Sequence, residues 1–187
     1  LPDVERMKVK VCLVGEAAVG KTSLVRRFVH DEFDDRYITT LGAKVSKREQ
    51  VFPPVGHGPA YRMDMTIWDI MGEKAFRDLL KEAYFHGARG ALAVADVTRY
   101  STLKELEGWV QNVFSVVGRI PVVCAINKAD LKDDTAVLYG DKEIGQVAGT
   151  FDAPYYYTSA KTGAQVEEVF RRLGSMILAQ AGKPLDA

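Results

Sequence analysis

The run GEAAVGKTS, residues 15–23, constrains this chain more than any other stretch. It follows an apolar, β-branched segment, MKVKVCLVG, and opens a helical pattern over residues 21–30. It therefore meets the structural condition of the G-x-x-x-x-G-K-[ST] motif as well as its letters. A strand that turns into a helix in this way gathers backbone N–H groups, with a helix N-terminus behind them, around one concavity that suits an anion. Here Gly15, Glu16, Ala17, Ala18, Val19, Gly20, Lys21, Thr22 and Ser23 build it. Such a site fits a diphosphate or triphosphate. Lys21 reaches the terminal phosphates as a point charge, and the Thr22 hydroxyl is a magnesium ligand, because magnesium takes few protein oxygens beside water and phosphate.

The rest of the chain repeats the alternation of strand and helix. YRMDMTIWD, GALAVADVT, IPVVCAIN and PYYYTSA are short and rich in β-branched and aromatic residues. Helical patterns cover residues 75–86 and 141–149, and a third starts at Ser101 with Leu103, Leu106, Val110, Val113, Phe114 and Val117 at three-and-four spacing behind a Thr102-x-x-Glu105 capping box. A last helix carries Val166, Val169, Phe170, Leu173, Met176 and Ile177 on one stripe. Alternation of this kind requires crossover units and a mostly parallel sheet. Residues 43–51 and 60–68 are the exception: Tyr61, Met63, Met65 and Ile67 alternate with Arg62, Asp64, Thr66 and Trp68, which suits a hairpin closed by the loop FPPVGHGPA, residues 52–60. The expected fold is α/β, six strands with the second antiparallel and five helices on both faces. Residues 1–7 are set aside as an extension, 8–181 form the domain and 182–187 a tail.

Composition narrows the activity. With 187 residues, 25 Lys and Arg balance 25 Asp and Glu, so the electrostatic footprint of a nucleic-acid binder is missing and any anion must be held locally. Cys12 and Cys124 lie in apolar runs without disulfide-like or C-x-x-C spacing, which points to a reducing compartment. No apolar stretch reaches the length of a membrane span, and the first ten residues lack a signal peptide's apolar segment, so a cytoplasmic location is expected. His30, His57 and His86 are scattered and make no metal cluster.

Three more strand ends carry chemistry. TIWDIMG puts Asp69 at the carboxyl end of the third strand, where a carboxylate holds magnesium through water, and Gly72 three residues on lets a backbone N–H approach the last phosphate. NKAD closes the fifth strand: Asp130 offers two oxygens to the guanine N1–H and exocyclic amine, Asn127 ties loops together and faces N7, and the Lys128 stem covers the ring. TSAKTG follows the sixth strand, where backbone N–H groups at Ser159, Ala160 and Lys161 can face the guanine O6.

These four pieces, in this order, resemble the Ras superfamily of small GTPases, and its Rab-like branch in particular, over nearly the whole chain. WDIMGEKAF resembles the Rab-type WDTAGQERF, and YITTLG resembles YISTIG. The resemblance implies a phosphate-loop NTPase domain that binds GDP and GTP with magnesium and hydrolyses GTP. It implies an exchange factor, a GTPase-activating protein and effectors as partners, through residues 34–42 and 72–80. It also implies Thr40 as the switch threonine that senses the γ-phosphate and completes the magnesium shell, and Phe33 as the aromatic over the guanine edge. Lys21, Thr40, Gly72 and Glu73 would form the catalytic set. From the residues alone, Phe33 is equally a core residue after the first helix, and Thr40 equally a turn threonine.

The chain departs from the family pattern in several places. Glu73 stands where the family has the glutamine that orients the attacking water, and a carboxylate there faces a negative phosphate. Met71 replaces the usual alanine before the glycine, and the methyl of Ala17 would crowd an arginine inserted by an activating partner. The last residues contain no cysteine for a lipid anchor, and residues 52–60 exceed the usual tight hairpin. Slow GTP hydrolysis is the first expectation, and a non-hydrolysing, nucleotide-gated interaction module is the second. A phosphate-loop ATPase or nucleotide kinase is disfavoured by Asn127, Lys128 and Asp130.

Overall fold

The computed structural model describes residues 3–34, 42–70, 72–133 and 139–183. Six strands, β1 (Val4–Val14), β2 (Ala43–Phe52), β3 (Ala60–Ile70), β4 (Ala88–Asp96), β5 (Val122–Asn127) and β6 (Tyr155–Tyr157), form one sheet in the order β2-β3-β1-β4-β5-β6. β2 runs antiparallel to β3, and every other pair is parallel. The helices are α1 (Lys21–His30), α2 (Lys74–Phe85), α3 (Tyr100–Lys104), α4 (Leu106–Val117), α5 (Asp141–Gly149) and α6 (Val166–Gln180). α3 and α4 meet at Glu105, which keeps helical φ and ψ of −76° and −14°, so they correspond to the single third helix of the sequence reading. The α/β class and the antiparallel second strand are as expected.

The central strands explain the layering. In β4 and β5 every residue from Gly90 to Asp96 and from Val122 to Asn127 is buried, as parallel strands covered on both faces require. Alternation then splits them between two cores. Leu92, Val94, Val123 and Ala125 pack with α1 and α6 on one face, while Ala91, Ala93, Ala95, Cys124 and Ile126 pack with α2 to α5 on the other. Small alanines on that second face leave room for Trp109, which is fully buried. The α6 stripe is buried as its spacing predicts, except for Met176, which is only partly covered.

Three local readings are corrected. β1 begins at Val4, paired with Ala60, so residues 4–7 belong to the sheet. Glu5 and Arg6 do not read as strand residues; pairing with β3 supplies the order they lack locally. Gly182 and Lys183 close α6 rather than start a loose tail, their N–H groups donating to Ala179 O at 3.1 Å and Leu178 O at 2.9 Å. Finally, the Thr102-x-x-Glu105 box does not form. The helix starts earlier, at Tyr100, and the Thr102 hydroxyl donates to Arg99 O at 2.6 Å while accepting from the Asp96 N–H at 2.9 Å. Bonds back to the turn and the strand end, three and six residues away, outcompete the cap.

Candidate functional site

All four motifs emerge at the carboxyl ends of parallel strands, on one side of the sheet, where open α/β sheets hold ligands. The loop after β1 is pressed against its neighbours. Gly15 has φ +144°, and a Cβ there would lie 2.3 Å from Val94 O of β4. On the other side a Cβ at Gly72 would lie 2.4 Å from Ala17 N, so the β3 loop backs directly onto the phosphate loop. Neither approach tolerates a side chain.

Lys21 curls over this loop. Its Nζ donates to Gly15 O at 2.8 Å and Glu16 O at 2.9 Å, with the side chain buried. Burial pushes the ammonium down to about 8, against the opposing pull of Asp69 and Glu16. A buried cation so placed is suited to an anion that restores its charge. Beside it the Thr22 hydroxyl donates to Asp69 Oδ2 in a short contact, and Asp69 is buried at 1 % exposure. Two hard oxygens beside a lysine and backbone N–H groups form a donor set suited to magnesium with phosphate, because that cation takes only one or two protein oxygens. No cluster of three or more His, Cys, Asp or Glu is gathered among the described residues.

The base-side motifs are tied to the same loop. Buried Asn127 donates from Nδ2 to Val19 O at 3.0 Å and accepts at Oδ1 from the Thr158 hydroxyl at 3.2 Å, so one side chain joins β1, β5 and β6 loops. Lys128 takes φ +62°, and its Nζ pairs with Asp96 Oδ2 at 2.9 Å. The Ser159 hydroxyl donates to Asp130 Oδ1 at 2.7 Å and accepts the Thr162 N–H at 3.1 Å. From below, Arg27 donates to Ala160 O at 2.7 Å and Lys161 O at 2.6 Å, holding the last loop on α1. Phe33 packs, partly buried, against the core cluster of α1 and α6. Glu73 is exposed at the extended residue before α2. Thr40, Met71 and most of the 34–42 segment lie outside the described residues.

Two residues at this site escape the sequence reading. Trp109 Nε1 donates to Glu16 Oε1 at 3.2 Å, and Arg99 donates to Ala17 O at 3.1 Å. Both come from the stretch after β4. Neither belongs to a motif, and a lone arginine in a turn carries no local signal; only the fold brings them to the loop.

The profile of the Ras family matches residues 10–179. Ras-related protein Rab-21 of Mus musculus is 34 % identical over 163 residues, covering 86 % of this chain and 69 % of that protein. Ras-related protein Rab-27B of Homo sapiens is 28 % identical over 176 residues, covering 91 % of this chain and 79 % of that protein.

Proposed function

Since the chain belongs to the Ras family, in its Rab-like branch, and is a small GTP-binding switch of trafficking or signalling, we propose that it is a slow member whose hydrolysis is limited by Glu73. Its cofactors are GTP or GDP and magnesium. The observation that carries the site assignment is Asn127, whose side chain fastens the base-side loops to the phosphate loop at Val19 O. In this reading the N–H groups of residues 15–23 and Lys21 hold the phosphates, and Thr22 and Asp69 are the magnesium side, Asp69 through water. Asp130, Lys128 and the 158–161 loop hold guanine. Bound magnesium would neutralise charge on the terminal phosphates. Partners would be an exchange factor, an activating protein and effectors at residues 34–42 and 72–80. Leu79, 79 % exposed on α2, supports an apolar contact there. Two free, buried cysteines suit a cytoplasmic setting, and no helix among the described residues is long and apolar enough to cross a membrane.

The slow rate follows from what a carboxylate cannot do. Glu73 accepts hydrogen bonds only, whereas a glutamine amide also donates to the transferring oxygens. Phosphoryl transfer depends mainly on positioning and charge stabilisation, so the lost donor outweighs any gain as a base. Glu73→Gln is expected to raise single-turnover hydrolysis of bound GTP by roughly tenfold or more. An unchanged or lower rate would make Glu73 a working base. No turnover in either protein would favour the non-hydrolysing module.

Lys21 gives a pH signature. Above about pH 8 the ligand-free ammonium loses its proton, while bound phosphate favours the charged form. Between about pH 8 and the ordinary lysine value near ~10.4, GDP binding therefore takes up a proton. Affinity should fall as pH rises across that window, by up to about tenfold per unit. The free fold has the opposite sign: it carries the full cost of the buried charge below about 8 and sheds it above, so its stability rises across the same window. Calorimetric titrations at pH 9 in buffers of different ionisation enthalpy measure this uptake; none at all would contradict the buried placement of Lys21.

A further inference from the structure

Asp96, at the end of β4, is the meeting point of more donors than any motif explains. Its side chain is 1 % exposed. Oδ1 accepts from the Thr98 N–H at 2.8 Å and hydroxyl at 2.7 Å. Oδ2 accepts from Arg99 Nε at 3.1 Å and pairs with Lys128 Nζ at 2.9 Å. Its main chain is fixed too, the N–H by Thr102 and the carbonyl by the Tyr139 hydroxyl at 2.5 Å. Burial alone would raise this carboxyl, but the bonds from Lys128 and Thr98 outweigh it and hold it below the usual carboxylate range. The carboxylate thus stays charged, with two cations on one oxygen.

Those cations serve opposite sides of the site. Lys128 belongs to the base motif, while the guanidinium of Arg99 continues past Asp96 and donates from its far nitrogen to Ala17 O in the phosphate loop. The bond falls on a peptide that needs holding. Ala17 O belongs to the peptide that enters Ala18, and Ala18 sits at φ +61°, the left-handed region that costs an alanine roughly 1 kcal/mol or more. Gly72 already blocks the N–H side of Ala17. Arg99 secures the carbonyl side, and Trp109 secures the preceding Glu16. Only a planar fork can do this, because Nε stays on Asp96 while the terminal nitrogen reaches the loop.

From this geometry we infer that Arg99 is a positioning residue for nucleotide binding: it fixes the Ala17–Ala18 peptide of the phosphate loop and, through Asp96, couples that loop to Lys128 of the base motif. It therefore sets how long a nucleoside diphosphate stays bound. The inference rests on the nucleotide-site reading above, and the bridge adds a claim that reading does not contain. The phosphate loop grips a diphosphate more fully than a monophosphate, so loss of the bridge should be felt selectively.

The experiment follows release of a fluorescent GDP analogue, chased with excess GDP in magnesium, from the full chain and from Arg99→Ala, Arg99→Lys and Arg119→Ala. Arg119 pairs with Asp152 at the remote surface and serves as the control. Arg99→Ala should speed release about tenfold, the worth of one charge-assisted bond to a backbone carbonyl. Arg99→Lys should remain closer to alanine than to the unaltered chain, since one ammonium cannot span Asp96 and Ala17 O. Competition with GMP gives the readout a general structural role would not move: the ratio of GDP to GMP affinity should fall in Arg99→Ala. Release at the unaltered rate, full rescue by lysine, or equal losses for GDP and GMP would each overturn the bridge while leaving the nucleotide site intact. An unaltered chain that binds no GDP would overturn the site reading itself.

Discussion

Asp130→Asn is expected to lower affinity for GDP on the order of 10⁴-fold and to gain affinity for xanthosine diphosphate, because a hydrogen-bonded base site rejects a mismatch that strongly. The geometry decides which way the new amide would face. The Ser159 hydroxyl accepts the Thr162 N–H, so its single proton is directed at Asp130 Oδ1. An asparagine must satisfy that proton with its carbonyl, which turns the NH₂ toward the base. Guanine presents N1–H and an amine at that edge, so donors would face donors. Xanthine carries a carbonyl in place of the amine and becomes the better partner. Isothermal titration with both nucleotides measures the exchange, and unchanged GDP binding would mean that the base is held elsewhere.

Gly15→Ala is the second large effect. A methyl at φ +144° would meet Val94 O, a backbone atom of the central strand β4, at 2.3 Å. Neither partner is a flexible side-chain end, so β4 or the loop must move, at a cost of about 3 kcal/mol or more from overpacking and backbone strain together. For a chain of this size that lowers the melting temperature by roughly 6–12 °C. Loss of nucleotide should accompany it, since the same displacement opens the phosphate loop. Gly145→Ala is the matched control: it lies in α5, where a Cβ would meet nothing within 4 Å. Removing backbone freedom there should be neutral or raise stability by about 0.5–1 kcal/mol. Equal melting curves for the two variants would show that the loop does not press on β4.

The sequence made legible those features whose cause is local. α1 and α5 occupy the residues that their periodicity marks, and each motif stands at a strand end because turn chemistry and apolar runs alternate plainly. What stayed hidden depends on partners distant in the chain. Val4 to Met7 become strand only because Ala60 to Met63 lie alongside. Thr102 is a nearer case, a helix cap by its letters until the turn after β4 brings the Asp96 N–H, six residues back, within its reach. Arg99 and Trp109 are the distant case inside the site: 82 and 93 residues separate them from Ala17 and Glu16. No spacing rule spans such distances, whereas Asn127 was legible because its motif travels as a unit.

The central claim is that these loops together hold one guanine nucleotide with magnesium. It is tested most directly by denaturing the purified full chain and identifying what is released, by chromatography of the nucleotide and elemental analysis for magnesium. The account predicts GDP or GTP at close to one per chain, lost together with magnesium when a chelator is added. Adenine nucleotide, or a protein that remains empty after incubation with magnesium and GDP, would contradict it.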